Sequence, residues 1–529
     1  MKYFIFRNQT IEPFFGAKDV EYSGYDDISI VPTDADGYIW FYQTPVGTDN
    51  SHLAQEVATY AERLQMVRRQ IPPGKPIVVF TLDTLFNVNP EGNDFALHSA
   101  VNTFNNFLTE WADDDGRIKV VDFGEFTRRY PAEQLINWKF YFISQTLLNP
   151  KLAKDFTVWW QRKQEELALF RKKCIVLDLD NTLWGGILGE DGIGGIKIGG
   201  DYPGKAFTYW QRALLELKKT GVMLTVCSKN NEADVMEAWE QNPFMVLHKE
   251  DFVAWRINWQ DKATNIADLA AELNIGLDSM VFVDDNPTER ELVRQALPMV
   301  EVPEYSGKPY DLMPLYKMLV ERYFGIYAVT DEDRRKTEQY RANAKRRAAQ
   351  TAFVDMDDYL RSLDIAIDIM HVDDFNRPRI AQMTQKTNQF NLTTRRYTET
   401  DIAAMEADGW QIFCMSARDR FGDNGITGTI FLRPAGDGKM EIDTLLLSCR
   451  VLGKGIESAF LNAVLNSLRG QGINRIDAEY IATAKNGQVA DFFDRAEFKR
   501  VSEDDQRRTY ELYLGDARPI KDYYSITLK

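Results

Sequence analysis

Short apolar runs alternate with amphipathic stretches along most of the chain, and this alternation sets the expected elements. In residues 1–165, Tyr3–Phe6, Pro76–Phe80 and Ile118–Val121 are apolar runs of strand length, while Ser51–Gln70 and Phe95–Ala112 carry apolar residues at helical spacing. The pattern resumes after Arg171-Lys172-Lys173. Cys174–Leu177, Leu224–Cys227 and Met280–Val283 read as buried strands that end in polar residues, with amphipathic helices at Phe207–Thr220 and Lys262–Leu273. Strand and helix in alternation predict parallel sheets covered by helices, with chemistry at the carboxyl ends of the strands. The run Asp331–Gln350 is polar, lacks Gly and Pro, and reads as a solvated connecting helix. Beyond it come a strand at Asp443–Ser448, a glycine-containing loop, a helix ending near Leu468, and further strand and helix at Arg475–Glu479 and Val489–Arg495.

With 529 residues, 44% of them hydrophobic, the chain is long enough for three globular domains. The expected division is an N-terminal α/β domain at 1–165, a doubly wound parallel-sheet domain at 166–328, a connecting helix at 329–350 and an α+β domain at 351–529. No apolar run approaches the length of about 18 residues needed to cross a membrane, and the N-terminus lacks a secretory apolar region. A net charge of −16 disfavours non-specific nucleic-acid binding. Cys174, Cys227, Cys414 and Cys449 are widely spaced, without CxxC or clustered His. That spacing fits a reducing cytoplasm and argues against a disulfide framework or a structural zinc site. Residues 1–165 contain no nucleophile elbow, P-loop or GxGxxG, so Asp83, Asp122, His52 and His98 read as solvated loop and surface residues.

The chemistry concentrates at strand ends in residues 174–290. The first strand delivers Asp178-Leu179-Asp180-Asn181-Thr182, and alternation places the Asp178 and Asp180 side chains on one side. A later strand delivers Asp284-Asp285. Neighbouring carboxylates repel unless a cation shares them, and such hard oxygen donors suit Mg²⁺, which commonly bridges to phosphate. Ser228, after the strand Leu224–Cys227, offers a hydroxyl to phosphate, and Lys262, at a helix start, offers an ammonium. The insertions between these motifs are too short for a large cap domain, so an open site is expected, with the Gly-rich stretch Leu183–Gly200 as a mobile flap.

The order DxDxT, strand-Ser, Lys, strand-DD resembles the four motifs of the haloacid-dehalogenase (HAD) superfamily. That resemblance implies Asp178 as nucleophile forming an aspartyl-phosphate, and Asp180 as general acid and then base. It places Mg²⁺ on Asp178, Asp284 and the backbone carbonyl of Asp180, with Asp285 as a further ligand or an orienting group. Ser228 and Lys262, with Asn181 and Thr182, would be at the phosphate. KKCIVLDLDNTLWGGILGEDG, TVCSKNN, INWQDKATNI, VFVDDNPTERE, KTNQFNLTTRRY, DRFGDNG and LLLSCRVLGKGIE are more specific. They resemble the FkbH-like family over roughly residues 130–500.

The FkbH resemblance implies a phosphatase and glyceryltransferase. Such an enzyme takes D-1,3-bisphosphoglycerate or a related phosphorylated three-carbon acyl donor and loads the acyl group onto the phosphopantetheine thiol of an acyl carrier protein, in polyketide or polysaccharide biosynthesis. Cys227, beside Ser228, is a candidate to carry the acyl group as a thioester, with Lys262 and the metal favouring its thiolate. The segment Arg450-Val451-Leu452-Gly453-Lys454-Gly455 resembles the coenzyme A loop of GCN5-related N-acetyltransferases (GNAT), which implies a GNAT-like C-terminal domain. Arg450, Gly453 and Gly455 would then hold a coenzyme A or carrier arm. The N-terminal domain has an SGNH- or flavodoxin-like layout. Arg377, Arg379, Lys386, Arg395 and Arg396 form a basic run suited to docking an acidic carrier. Asn388, Asn391 and Arg420 match the family wording without a chemical role of their own. Two other readings stand beside this one: a stand-alone phosphatase acting on a sugar phosphate or other small metabolite, and an acyltransferase or carrier-binding module on a HAD scaffold.

Overall fold

The computed structural model describes residues 2–16, 18–84, 90–329, 333–334, 338–340, 342, 346, 355–436, 438–448, 451–504 and 506–529. The chain divides into two compact units, Met1–Leu167 and Ala168–Lys529.

In the first unit five parallel strands, β1 (Tyr3–Arg7), β2 (Val20–Tyr25), β3 (Gly37–Phe41), β4 (Ile77–Phe80) and β5 (Ile118–Val121), lie in the order β2-β1-β3-β4-β5. This is the flavodoxin-like winding. Every residue of β3 and β4 is buried, as expected where helices cover both faces. The long helix Asn50–Gln70 starts where the Asp49 side chain accepts from the amides of Ser51 and His52, so His52 sits in a capped first turn. Asp83 accepts from Thr127 Oγ1 (2.7 Å), and Asp122 from Arg128 Nη2 (2.8 Å) and the Gly124 amide (2.9 Å). His98 lies 3.2 Å from Thr84 Oγ1. These contacts organise the turns that follow the strands.

The second unit holds two sheets. In the first, β6 (Cys174–Leu177), β7 (Met223–Ser228), β8 (Phe252–Ile257) and β9 (Met280–Val283) are parallel in the order β8-β7-β6-β9. Alternate residues of β6 enter opposite cores: Ile175 and Leu177 pack with Trp210 and Leu214, whereas Cys174 and Val176 pack with Ile266 and Phe282. With both faces covered, β6 and β9 are apolar throughout and have the bounds that the apolar pattern predicts.

The Gly-rich stretch, expected as a mobile flap, is anchored at both ends, with Gly189–Gly192 exposed between them. Leu183, Trp184, Leu188, Ile196 and Ile198 are buried in the same core as β6. Gly185 and Lys197 pair across it, with their amides and carbonyls exchanged at 3.1 and 2.7 Å.

The second sheet contains β10 (Ile365–His371), β12 (Gln411–Asp419), β13 (Gly422–Pro434), β14 (Lys439–Leu447), β15 (Arg475–Ile481), β16 (Lys499–Glu503), β17 (Arg507–Tyr513) and β18 (Tyr524–Leu528) in the order β16-β17-β15-β14-β13-β12-β10-β18, with β11 (Phe390–Asn391) paired to β14. Its members β14 (Lys439–Leu447) and β15 (Arg475–Ile481) run parallel but pair only between Lys439–Ile442 and Arg475–Ala478. Past that point the segment around β11 lies between them. Leu392 N donates to Leu445 O (3.1 Å), and Ile481 N donates to Leu392 O (2.8 Å). After β14 the chain turns through Gly453 (φ +78°) and Gly455 (φ +68°), conformations that favour glycine, into the helix Ile456–Gly470. Most of the expected connecting helix at 329–350, and Arg450 of the glycine loop, lie outside the described residues. Among the described residues no helix is long and apolar enough to cross a membrane.

Candidate active site

The site is assembled at the carboxyl ends of β6, β7 and β9. Asp178 follows β6 directly and extends its ladder, its amide donating to Val283 O on β9 (3.0 Å). Asp284 and Asp285 follow β9. Asp178, Asp284 and Asp285 each present a carboxylate oxygen within 4.8 Å of the others. Lys262 opens the helix Lys262–Leu273, whose N-cap Asp261 accepts from the Thr264 amide. Only 3% exposed, Lys262 points its Nζ between two of these carboxylates, 2.8 Å from Asp178 Oδ1 and 2.5 Å from Asp284 Oδ2.

The electrostatics follow from crowding like charges in a dry place. Burial alone would lower the Lys262 pKa, but the charges of Asp178 and Asp284 outweigh it and hold the ammonium protonated. Burial, then the neighbouring Asp178 charge, pushes Asp285 up to about 6, and the same two causes raise Asp284. One ammonium cannot balance three carboxylates. The donor set is all hard oxygen, so these three residues fit a divalent cation of the Mg²⁺ kind.

Asp180 faces elsewhere. Its Oδ1 accepts from Trp184 Nε1 (2.9 Å) and the Leu188 amide (3.0 Å), and its Oδ2 accepts from Asn230 Nδ2 (2.9 Å). Burial raises the Asp180 carboxyl despite those three donors, and the Asp178 charge adds to the effect. A carboxyl held up in this way is suited to giving and retaking a proton. Ser228, the last residue of β7, is 2% exposed, and its Oγ lies 3.4 Å from the same Asn230 Nδ2. Asn230 therefore ties the seryl hydroxyl to the Asp180 carboxylate. Sequence reading passed over Asn230 and Trp184, although both stand inside the quoted SKNN and DNTLW phrases.

Three expectations are corrected. Thr182 is fully buried, and its Oγ1 accepts from the Asp285 amide (3.2 Å); Asn181, at φ +53°, accepts from the Gly186 amide at 2.9 Å. Both shape the loop; Thr182 is too buried to reach a phosphate, whereas Asn181 is half-buried and engaged here through its oxygen. Cys227 is wholly buried among Cys174, Val176, Ala263 and Phe282, and its Sγ approaches Lys262 O at 3.8 Å. Burial pushes its thiol up to about 12 and outweighs the Lys262 charge, so no thiolate is favoured there. Cys227→Ala should accordingly keep turnover of a small phosphate ester within about twofold while lowering stability by about 1 kcal/mol, checked by initial rates beside a thermal melt.

The third correction concerns the basic run. Arg377 binds Glu406 (2.9 Å), Lys386 lies 3.7 Å from Asp333, and Arg395 pairs with Asp443 and Glu479. Arg396 donates to Thr384 O (2.9 Å) and Asn388 Oδ1 (2.7 Å), and Arg379 to Gln382 Oε1 (2.5 Å). Asn391, fully buried, donates to Thr387 O (3.1 Å) and accepts from the Thr394 amide (2.8 Å). Arg377, Arg379, Lys386 and Arg395 are half-buried and engaged in this way, whereas Arg396 is exposed.

Residues 173–322 match the family model described as NIF, NLI interacting factor-like phosphatase. That stretch is a phosphatase domain of the HAD type. It contains every residue of the carboxylate site. No curated protein matches the chain. Among solved structures, the N-terminal part of the protein BF1531 from Bacteroides fragilis, containing a phosphatase domain complexed with Mg, is 27% identical, covering 62% of this chain and 94% of its own, with a TM-score of 0.49. The ribosomal-protein-S18-alanine N-acetyltransferase of Escherichia coli is 12% identical and covers 29% of this chain and 96% of its own, with a TM-score of 0.24. The PaiA N-acetyltransferase of Thermoplasma acidophilum, in complex with coenzyme A, is 17% identical and covers 22% and 72%, with a TM-score of 0.19.

Proposed function

We propose that the chain is a cytoplasmic, Mg²⁺-dependent enzyme resembling FkbH. It would dephosphorylate D-1,3-bisphosphoglycerate, or a related phosphorylated three-carbon acyl donor, and load the acyl group onto a carrier thiol. The observation that carries this reading is the meeting of Asp178, Asp180, Ser228, Lys262, Asp284 and Asp285 at one sheet edge within the phosphatase-matched stretch. Asp178, Asp284 and Asp285 would hold Mg²⁺, which neutralises charge on a phosphoryl group. Asp178 attacks phosphorus and becomes the aspartyl-phosphate while the ester oxygen leaves with a proton from Asp180. Asp180 then takes a proton from water, which releases inorganic phosphate. Ser228 and Lys262 offer donors to the phosphoryl oxygens. An acyl phosphate keeps its own activation, so the carrier's thiolate can attack the acyl carbonyl directly, forming the thioester and expelling inorganic phosphate. The burial of Cys227 supports this direct route over an enzyme-bound thioester.

The test is to incubate the full chain with the bisphosphoglycerate, Mg²⁺ and holo-carriers encoded nearby, and to weigh the carriers. A glyceryl mass gain supports loading. Phosphate release with no mass gain on any carrier favours the second reading, a phosphatase of a small metabolite, which the pairing of Arg377 and Arg395 with acidic side chains also favours. Metal binding should depend on pH. Asp285 is held up at about 6, so a cation must displace its proton in acid, and Mg²⁺ affinity should rise about tenfold from pH 5 to pH 7 for one proton displaced. Calorimetric titration at the two pH values measures this.

A further inference from the structure

The donors around the Asp180 carboxyl reach it from two directions. Oδ1 takes both the Trp184 indole N–H (2.9 Å) and the Leu188 amide (3.0 Å), which belong to the stretch between β6 and the helix Gly204–Lys219. Oδ2 takes one donor, Asn230 Nδ2 (2.9 Å), from the turn after β7. Each carboxyl oxygen has two acceptor positions. Among the described residues, then, both positions on Oδ1 are filled and one on Oδ2 is open, on the side where Asn230 also reaches Ser228 Oγ (3.4 Å). The two side-chain donors are themselves fixed. Trp184 is fully buried in the core that holds Leu183, Leu188 and Trp210. Asn230 is buried too, and it precedes Asn231, whose side chain caps the helix Glu232–Gln241 by accepting from the Ala233 amide. The fold does not insist on a partner for a buried indole: those of Trp40, Trp159, Trp210 and Trp239 make no hydrogen bond. The bond from Trp184 is thus particular to Asp180.

We infer that Trp184 and Asn230 are positioning residues for Asp180, keeping the open position of Oδ2 turned to the ester oxygen that leaves. The inference rests on the reading of Asp180 as proton donor to that oxygen. As the bond from Asp178 to phosphorus forms, the bond from phosphorus to the ester oxygen breaks, and the proton on Asp180 Oδ2 passes to the departing oxygen. Without the Trp184 donor a position opens on Oδ1 as well, and the carboxyl can present its proton on the wrong side. A strongly basic leaving group needs that proton and a weakly basic one departs without it. Loss of positioning should therefore be felt in proportion to the basicity of the leaving group, whereas a general loosening of the site should be felt equally by all.

The test uses the full Mg²⁺-loaded chain and two phosphate esters: glycerol phosphate, whose alkoxide must be protonated as it leaves, and dinitrophenyl phosphate, whose phenolate departs unaided. The quantity read is kcat/KM, which covers the steps up to departure of the leaving group and omits hydrolysis of the aspartyl-phosphate. Trp184→Phe should lose about 100-fold on glycerol phosphate and stay within about threefold on the dinitrophenyl ester. Asn230→Ala, which frees Ser228 as well, should lose on both and about tenfold more on glycerol phosphate. Asp180→Asn is the reference and should show the same selectivity, larger. A thermal melt shows that each variant is folded, and Asn230→Ala alone decides if Trp184→Phe is not. Equal losses on the two esters, or no loss on glycerol phosphate, in folded Trp184→Phe or Asn230→Ala beside a selective Asp180→Asn overturn the positioning role alone. An unselective Asp180→Asn removes the proton-donor reading beneath it.

Discussion

Asp178→Asn is expected to lower phosphatase turnover by about 10⁴-fold or more, because the amide keeps the shape but cannot attack phosphorus. The substitution is a clean one. Asp178 sits in a cluster with two other carboxylates and a single ammonium, so removing its charge relieves repulsion. Asp284 and Asp285, both held up in part by the Asp178 charge, should then titrate closer to ordinary carboxyls. The variant should melt no lower than the wild type in the absence of metal, which separates lost chemistry from lost structure. Initial rates with a chromogenic phosphate ester and a melt in chelator measure the two halves. Turnover within tenfold of wild type would mean that another group is the nucleophile.

Lys262→Met should cost about 3–5 kcal/mol of stability without metal, the penalty for removing one partner of a buried ion pair. Asp178 is 6% exposed and Asp284 fully buried, so neither charge can turn to water once the ammonium is gone. The sign with pH follows. Without Lys262 the folded-state pKa of Asp284 lies further above the unfolded value of roughly 4. Folded protein then binds more protons than unfolded protein, and stability rises as pH falls. Mg²⁺ should restore much of the loss by supplying the missing positive charge. Melts at about pH 5 and pH 7.5, each with chelator and with Mg²⁺, give four values. Equal melting of variant and wild type in chelator at the higher pH would contradict the ion-pair account.

Much of this centre is legible in the sequence because its parts are local. Strands covered on both faces are continuous apolar runs, and the polar residues that end them are the ones a parallel sheet delivers to its carboxyl edge. β2 escaped notice because Val20–Tyr25 is an edge strand of mixed polarity, half of it exposed. What pattern reading cannot supply is which distant group claims a side chain. Thr182 resembles a phosphate ligand until its side chain is found wholly buried, and Arg395 resembles a docking cation until Asp443 and Glu479 close on it. Cys227 is adjacent to Ser228 in sequence, yet side-chain alternation along β7 sends the thiol into the opposite core.

The segment around Phe390–Asn391 carries a kinetic consequence. It is hydrogen-bonded on one side to β14 and on the other to β15, elements that lie far along the chain. Its closure must wait until both have been made and brought together, a high-contact-order event. The amide of Leu392 should therefore be among the last to gain protection during refolding and, once locked between two ladders, among the slowest to exchange with deuterium in the native protein.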